Sequence, residues 1–292
     1  MPRLAETLAH GSLDVSDLSV VSSVRARSKS SAFLSMADPQ VDQPLRIGVC
    51  DGVLGNQNIH VTVSADNRRA LILDGKTTDG FIQSEVRCKG TPEMLFGSCD
   101  DKVIQRKWKC NELDFSNTLH GDAFPYVAAI LRKVLPRCKR KPLEILMLGL
   151  GGGTMQSFIA NECPHAKVTT VETSPGVLEA AHRFFGFKGK AVTQTAQEAM
   201  TQFVSDGRRF DVVVVDIADT VLDDKDVQHL HTLLKSHGLV LQNHTNVTKM
   251  AQQLPIFHKL FLNVAEESFG SGNVVVTSSD SQIPDVEQAL TQ

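Results

Sequence analysis

The polarity pattern changes twice along the chain. Residues 1 to about 43 show no sustained period, are rich in Ser and Ala, and carry the basic cluster Arg25, Arg27 and Lys29. They read as a flexible leader. From Leu45 onward short β-type runs follow one another between turn residues: Leu45-Arg46-Ile47-Gly48-Val49, Ile59-His60-Val61-Thr62-Val63 and Ala70-Leu71-Ile72-Leu73. Period-two alternation broken by polar turns predicts a small antiparallel sheet within residues 44–118. The stretch 86–118 holds the single tryptophan, Trp108, and fits a β extension or a long loop equally well.

Apolar residues at helical spacing then appear from Asp122 to Leu135 (Phe124, Val127, Ala128, Ile130, Leu131), followed by a basic run to Lys141 that reads as a solvated helix end. From Leu143 the alternation becomes regular. Strands are predicted at 143–148, 167–172, 190–194, 210–216, 238–242 and 273–277. Helices are predicted at 154–162, 175–185, 196–205, 224–236 and 247–260. Strands alternating with helices imply a parallel sheet covered on both faces, an α/β Rossmann-like fold over residues 119–292. Ligands in such sheets bind beyond the carboxyl ends of the strands.

Composition narrows the function classes. Hydrophobic residues make up 41% and charged residues 22% of the 292, and the net charge is −3. This balance suits a globular protein and gives no global electrostatic case for a nucleic-acid partner or an anionic membrane. The longest apolar stretches, Ile145 to Leu150 and Val212 to Val215, fall far short of the roughly 20 residues of a membrane-spanning helix. The N-terminus lacks a continuous apolar signal region, so a cytoplasmic location is expected. Six cysteines (Cys50, Cys88, Cys99, Cys110, Cys138, Cys163) without a CxxC pair read as reduced thiols rather than a disulfide framework or zinc site.

The chemistry concentrates at two strand ends. Gly149-Leu150-Gly151-Gly152-Gly153-Thr154 lies between a buried strand and a helix, where glycines let the backbone turn sharply and approach a ligand. The next strand ends at Glu172, twenty-three residues after Gly149, where a carboxylate accepts both hydroxyls of a ribose. Asp216 closes the run Phe210 to Val215 at a carboxyl strand end and is a candidate to orient or deprotonate an amine, with Asp219 as a weaker partner. His229 and His231 sit on different helical faces and no metal set is expected, while His244 ends a strand that borders the cleft. No nucleophile elbow or phosphate-loop lysine is present, which removes serine-hydrolase and NTPase readings.

In combination, Gly149 to Gly153, Val171-Glu172-Thr173-Ser174-Pro175 and Ala180 to Phe187 resemble the class I S-adenosylmethionine-dependent transferases of the spermidine-synthase-like group. That group includes aminopropyltransferases and methyltransferases of elongation factor 1 alpha. Leu71 to Gly75, Asp79-Gly80-Phe81-Ile82-Gln83 and Ser271-Gly272-Asn273 extend the similarity over about residues 45–278. The resemblance implies S-adenosylmethionine, or its decarboxylated form, held by Gly149, Gly151, Gly152, Gly153, Glu172, Thr173, Gln83 and Gln197. It implies Asp216, Asp219 and Tyr126 around an amine or protein acceptor, and a homodimer. Three departures stand beside it. Thr154-Met155 replaces the aspartate-glycine step that grips an aminopropyl donor's amine, Thr195-Ala196-Gln197 replaces the acidic adenine reader, leaving Gln197 or Glu198 to substitute, and Tyr126 is followed by Val127 rather than glutamine. Methyl transfer to an amine is therefore the leading expectation, with aminopropyl transfer to a polyamine and a catalytically silent binding protein as alternatives.

Overall fold

The computed structural model describes residues 46–55, 57–73, 82–121, 124–217, 222–270 and 272–283, all within the unit Val41–Gln292. The expected leader, Asp219, Ser271 and the Asp74 to Phe81 motif lie outside the described residues. The first sheet has the order β4-β3-β2-β1-β5. Its strands are β1 (Arg46–Leu54), β2 (Gln57–Ser64), β3 (Arg68–Leu73), β4 (Ile82–Arg87) and β5 (Phe96–Ser98). β1 to β4 pair antiparallel as the alternation predicts, while β5 joins β1 in parallel, Val49 opposite Phe96. The ambiguous stretch 86–118 thus supplies one short strand and the helix α1 (Lys102–Lys107), which Asp101 caps by accepting the Val103 N–H. Trp108 is fully buried here, and its indole N–H donates to the Glu93 carbonyl.

The second sheet, of seven strands, is built from β6 (Glu144–Leu148), β7 (Lys167–Glu172), β8 (Ala191–Thr193), β9 (Phe210–Val215), β10 (Leu234–His244), β11 (Asn263–Ser268) and β12 (Val274–Ser279). Its order is β11-β12-β10-β9-β6-β7-β8. β10, β9, β6, β7 and β8 pair in parallel, and β12 is antiparallel to both β10 and β11. The fold is the Rossmann-like α/β class I methyltransferase fold with a small antiparallel β-sheet before it. β6 shows why two helical layers are needed. Ile145 and Met147 point to one face, against α2 (Pro125–Cys138) and α3 (Thr154–Glu162). Leu146 and Leu148 point to the other, against α5 (Ala196–Ser205), α6 (Asp224–Thr232) and α7 (Val247–Leu260). The small sheet uses α4 (Pro175–Phe184), burying Ile59, Val61 and Leu71 on Val177, Ala180 and Phe184.

Four differences from the sequence reading have local causes. The helix expected to reach residue 236 stops at Thr232, because the Leu233 carbonyl accepts the Phe210 N–H and commits the chain to β10. β11 was not expected, since Asn263-Val-Ala-Glu-Glu-Ser carries little apolar signal and is held mainly by its ladder with β12. The sheet is not wholly parallel, because β12 returns beside β10 in the opposite sense.

The fourth difference concerns the cysteines. The reduced-thiol expectation is corrected: all six pair, as Cys50–Cys99, Cys88–Cys110 and Cys138–Cys163, with Cα separations of 4.8, 5.7 and 5.8 Å. Two of the bridges tie the segment around β5 and α1 to β1 and to the end of β4. Such bridges persist in oxidising compartments, which counts against the cytoplasmic expectation. Among the described residues no helix is long and apolar enough to cross a membrane.

At the amino ends of the central strands, buried Asp211 accepts from Lys141 and Lys235 and from the Glu144 N–H at 2.8–2.9 Å. Burial alone would raise its pKa, but these donors outweigh it and lower it to about 2. A depressed carboxylate stabilises the fold above its unfolded pKa, and that contribution is lost as pH falls toward about 2. Asp211→Asn should cost about 1–3 kcal/mol at neutral pH and almost nothing near the acid end of that window, measured by urea denaturation at several pH values. Protein taken from its native source under immediate alkylation should show three bridged peptide pairs and no alkylated cysteine.

Candidate active site

The carboxyl ends of β6, β7, β9 and β10 open onto a cleft of about 410 Å³, walled on one side by β3 and β4. A volume in this range suits a nucleoside-sized ligand. Its floor is the turn after β6. Gly149 has φ +102°, and a Cβ there would lie 2.1 Å from the Asp216 carbonyl oxygen, so only glycine lets the β6 and β9 ends meet. Gly151, at φ +55°, faces the Ser84 side chain across the cleft wall. Gly152 and Gly153 do not line the cleft; their Cα atoms back onto the rings of Phe185 and Phe187.

Glu172 ends β7 with only 8% exposure. Its Oε2 accepts the Leu150 N–H at 3.1 Å and its Oε1 accepts the Ser174 N–H at 2.8 Å. Burial raises its pKa, and the N–H groups of Ser174, Leu150, Thr173 and Gly151 pull the other way. One carboxylate therefore pins the glycine turn to the cap of α4. Each oxygen keeps a second lone pair, so the group can still accept hydroxyls from the cleft. Thr173 lines the cleft beside it.

The remaining expected cofactor residues fall on two walls. Gln83 and Ser84 project from β4, and Gln197 from the start of α5, where its amide lies 3.4 Å from Asp226. Glu198, the other residue left to substitute, does not line the cleft. Its carboxylate accepts the Thr195 N–H and hydroxyl in a capping box, outside the cleft. Thr154 lines the cleft, with its hydroxyl donating to the Glu85 carbonyl at 2.8 Å. Gln156 was not singled out from sequence. Its Nε2 donates to the Gly149 carbonyl at 2.9 Å, while its buried Oε1 has no partner.

At the other end stands Asp216, half-buried in the cleft lining just after β9. Its Oδ2 accepts from the Tyr126 hydroxyl at 3.3 Å and its Oδ1 from the Asn243 amide at 2.8 Å. Asn243 in turn accepts from the Asn273 amide at 3.0 Å. Burial raises the Asp216 pKa against the lowering effect of Asn243 and Tyr126. Burial, and then the Asp216 charge, keep Tyr126 protonated well above the ordinary phenol range. Three of the four members were in view from sequence, and Asn243 was missed because its partner comes from an antiparallel strand. His244 is buried outside the cleft lining, and burial lowers its pKa to about 4, so it is neutral at pH 7. His231 pairs with Asp280 on the surface. Among the described residues no group of His, Cys, Asp and Glu is gathered for a metal ion.

Residues 145–238 match the family model described as a methyltransferase domain. The chain is similar to a polyamine aminopropyltransferase of Vibrio vulnificus, 27% identical over 185 residues, 58% of this chain and 60% of that protein. It is also similar to an eEF1A lysine and N-terminal methyltransferase of Danio rerio, 31% identical over 122 residues, 36% of this chain and 18% of that protein. The chain thus spans about three fifths of the first relative and under a fifth of the second. Two solved structures share the fold. A probable spermidine synthase from Corynebacterium glutamicum aligns with a TM-score of 0.59 over 80% of both chains at 17% identity. Human methyltransferase-like protein 13, in complex with SAH, aligns with a TM-score of 0.52 over 57% of this chain and 90% of that one, at 19% identity. The chain resembles the spermidine-synthase-like transferases, as its motifs indicated.

The glycine turn provides a direct check on this geometry. Gly149→Ala combines a disfavoured backbone with a clash against Asp216, and should cost about 3 kcal/mol by chemical denaturation.

Proposed function

We propose that this chain is an S-adenosylmethionine-dependent methyltransferase acting on an amine, borne by a protein or a small molecule. The observation that carries the reading is the uncharged donor end of the cleft. Thr154, where aminopropyltransferases place the aspartate for their donor's amine, is committed to the Glu85 carbonyl, and its described neighbours Gln83, Ser84 and Gln156 carry no charge. A zwitterionic amino-acid end suits such a surface better than a lone ammonium, which needs a counter-charge. The cradle fits the donor in two further respects: the turn at Gly149 and Gly151 leaves room where a Cβ would intrude, and the orphaned Gln156 Oε1 can accept from an α-ammonium.

The bound donor supplies an electrophilic methyl group on a sulfonium. Glu172 would hold the ribose hydroxyls and Gln197 the adenine side of the pocket. Asp216, made a stronger base by burial, would accept the acceptor amine's proton at a carboxylate oxygen while Tyr126 keeps that carboxylate in place. The protein's main contribution is to hold the amine in line with the transferred carbon. We divide the chain functionally at about residue 118, the small β-domain of 44–118 serving as the acceptor-side wall and 119–292 as the adenosyl domain.

Aminopropyl transfer is the second reading, favoured by similarity to the Vibrio enzyme across 58% of the chain. Calorimetric titration separates the two. The expected result is binding of S-adenosylmethionine in preference to its decarboxylated form, with affinity lost in Glu172→Ala. Preference for the decarboxylated donor would overturn methyl transfer, and binding of neither by folded protein would leave a non-catalytic homologue.

A further inference from the structure

The described hydrogen bonds around Asp216 have only one consistent polarity. An ionised carboxylate can only accept, so Asn243 must turn its Nδ2 toward Asp216 Oδ1, as observed at 2.8 Å. That leaves Asn243 Oδ1 facing away, where it needs a donor in a buried site. Asn273 supplies it, with Nδ2 at 3.0 Å. Both asparagines are 7% exposed, so neither amide can be satisfied by freely turning to bulk water. The placement depends on the sheet. Asn243 is near the end of β10, Asn273 immediately precedes β12, and the antiparallel pairing of Asn243 with Val275 and of His244 with Val274 brings them together.

We propose that Asn273 and Asn243 form a positioning relay that keeps Asp216 ionised and its carboxylate aimed into the cleft. Its catalytic meaning rests on the reading of Asp216 as the acceptor-facing carboxylate, but its existence does not. Flipping Asn243 would set its oxygen against the carboxylate and its N–H against that of Asn273, so the observed orientation satisfies both contacts and a flip of Asn243 alone loses both. The relay therefore opposes the desolvation that drives Asp216 toward its neutral form. Among the described residues, the titratable groups sharing the cleft with Asp216 are Tyr126 from α2 and Glu172 from β7.

Tyr126 is the only tyrosine in the chain and its hydroxyl bonds to Asp216, so it reports that carboxylate directly. Protein labelled with 13C at the tyrosine Cζ gives one resonance, whose shift should follow Asp216 ionisation as pH is varied; Asp216→Asn should abolish that inflection. In Asn273→Ala the inflection should move to higher pH, and Asn273→Leu, of similar size and uncharged, should move it in the same direction. Asn243→Ala should shift it as far as the double variant does, because members of one relay are not additive. An inflection unmoved by both Asn273 variants, or additive shifts, would overturn the relay. Calorimetry on the same samples with S-adenosylmethionine keeps the questions apart. Loss of binding already in the parent protein would count against the methyl-transfer reading, while a parent that binds alongside unmoved Asn273 variants would sink the relay alone.

Discussion

The approach of the β6 and β9 backbones at Gly149 and Asp216 governs the whole cleft. A side chain of any size at residue 149 would meet the Asp216 carbonyl, so the strand ends can lie side by side only with glycine there. Their contact fixes both functional poles at once. On one side the turn continues to Leu150, whose N–H donates to Glu172, and on to Gly151. On the other, Asp216 is delivered at the end of a strand buried along its entire length, so its side chain has little freedom to leave. The Asp216 N–H donating to Leu148, and the Gly149 N–H donating to Val171, extend the β6 ladder to both neighbours. The two ends of the cleft are thus set by the same few backbone hydrogen bonds.

The small sheet contributes shape rather than charge. β4 lies against the glycine turn closely enough that Ser84 contacts the space a Cβ of Gly151 would fill, and Thr154 reaches back to Glu85. Cys88 follows β4 at once and is bridged to Cys110, which itself abuts Gly186 beyond α4. The wall of the cleft is therefore held on both flanks by contacts to the segment between β4 and α2. Without the bridges and Trp108 that segment has little to order it, because its one strand is three residues long and exposed.

What the sequence made legible follows the range of the interactions involved. Helices α3, α5 and α7 appear at their expected bounds because their signals are local: an apolar period in each, the glycine turn before α3, and a capping threonine or asparagine before α5 and α7. Gly149, Glu172 and Asp216 were legible for the same reason, each marking the end of a buried apolar strand. The overlooked features all depend on residues far apart. β11 exists through its ladder to β12, the cysteine pairs span 22 to 49 residues, and Asn243 acquires its role only from Asn273, thirty positions on. Periodicity carries no information about such pairings. The cysteine spacing carries no such information either, because bridges between distant residues need no short motif.

The electrostatics of the cleft follow from how its two carboxylates are spent. Glu172 accepts N–H groups from both of the turns it joins, so its charge is largely answered by backbone dipoles before any ligand arrives. Among the described residues Asp216 is answered by a neutral amide and a neutral phenol. Its charge is less compensated, and a cation entering from the cleft gains more there than beside Glu172. An amine acceptor would therefore be drawn as its ammonium toward the pole where it must lose a proton. The same desolvation that makes this charge costly to keep also raises the carboxylate's basicity.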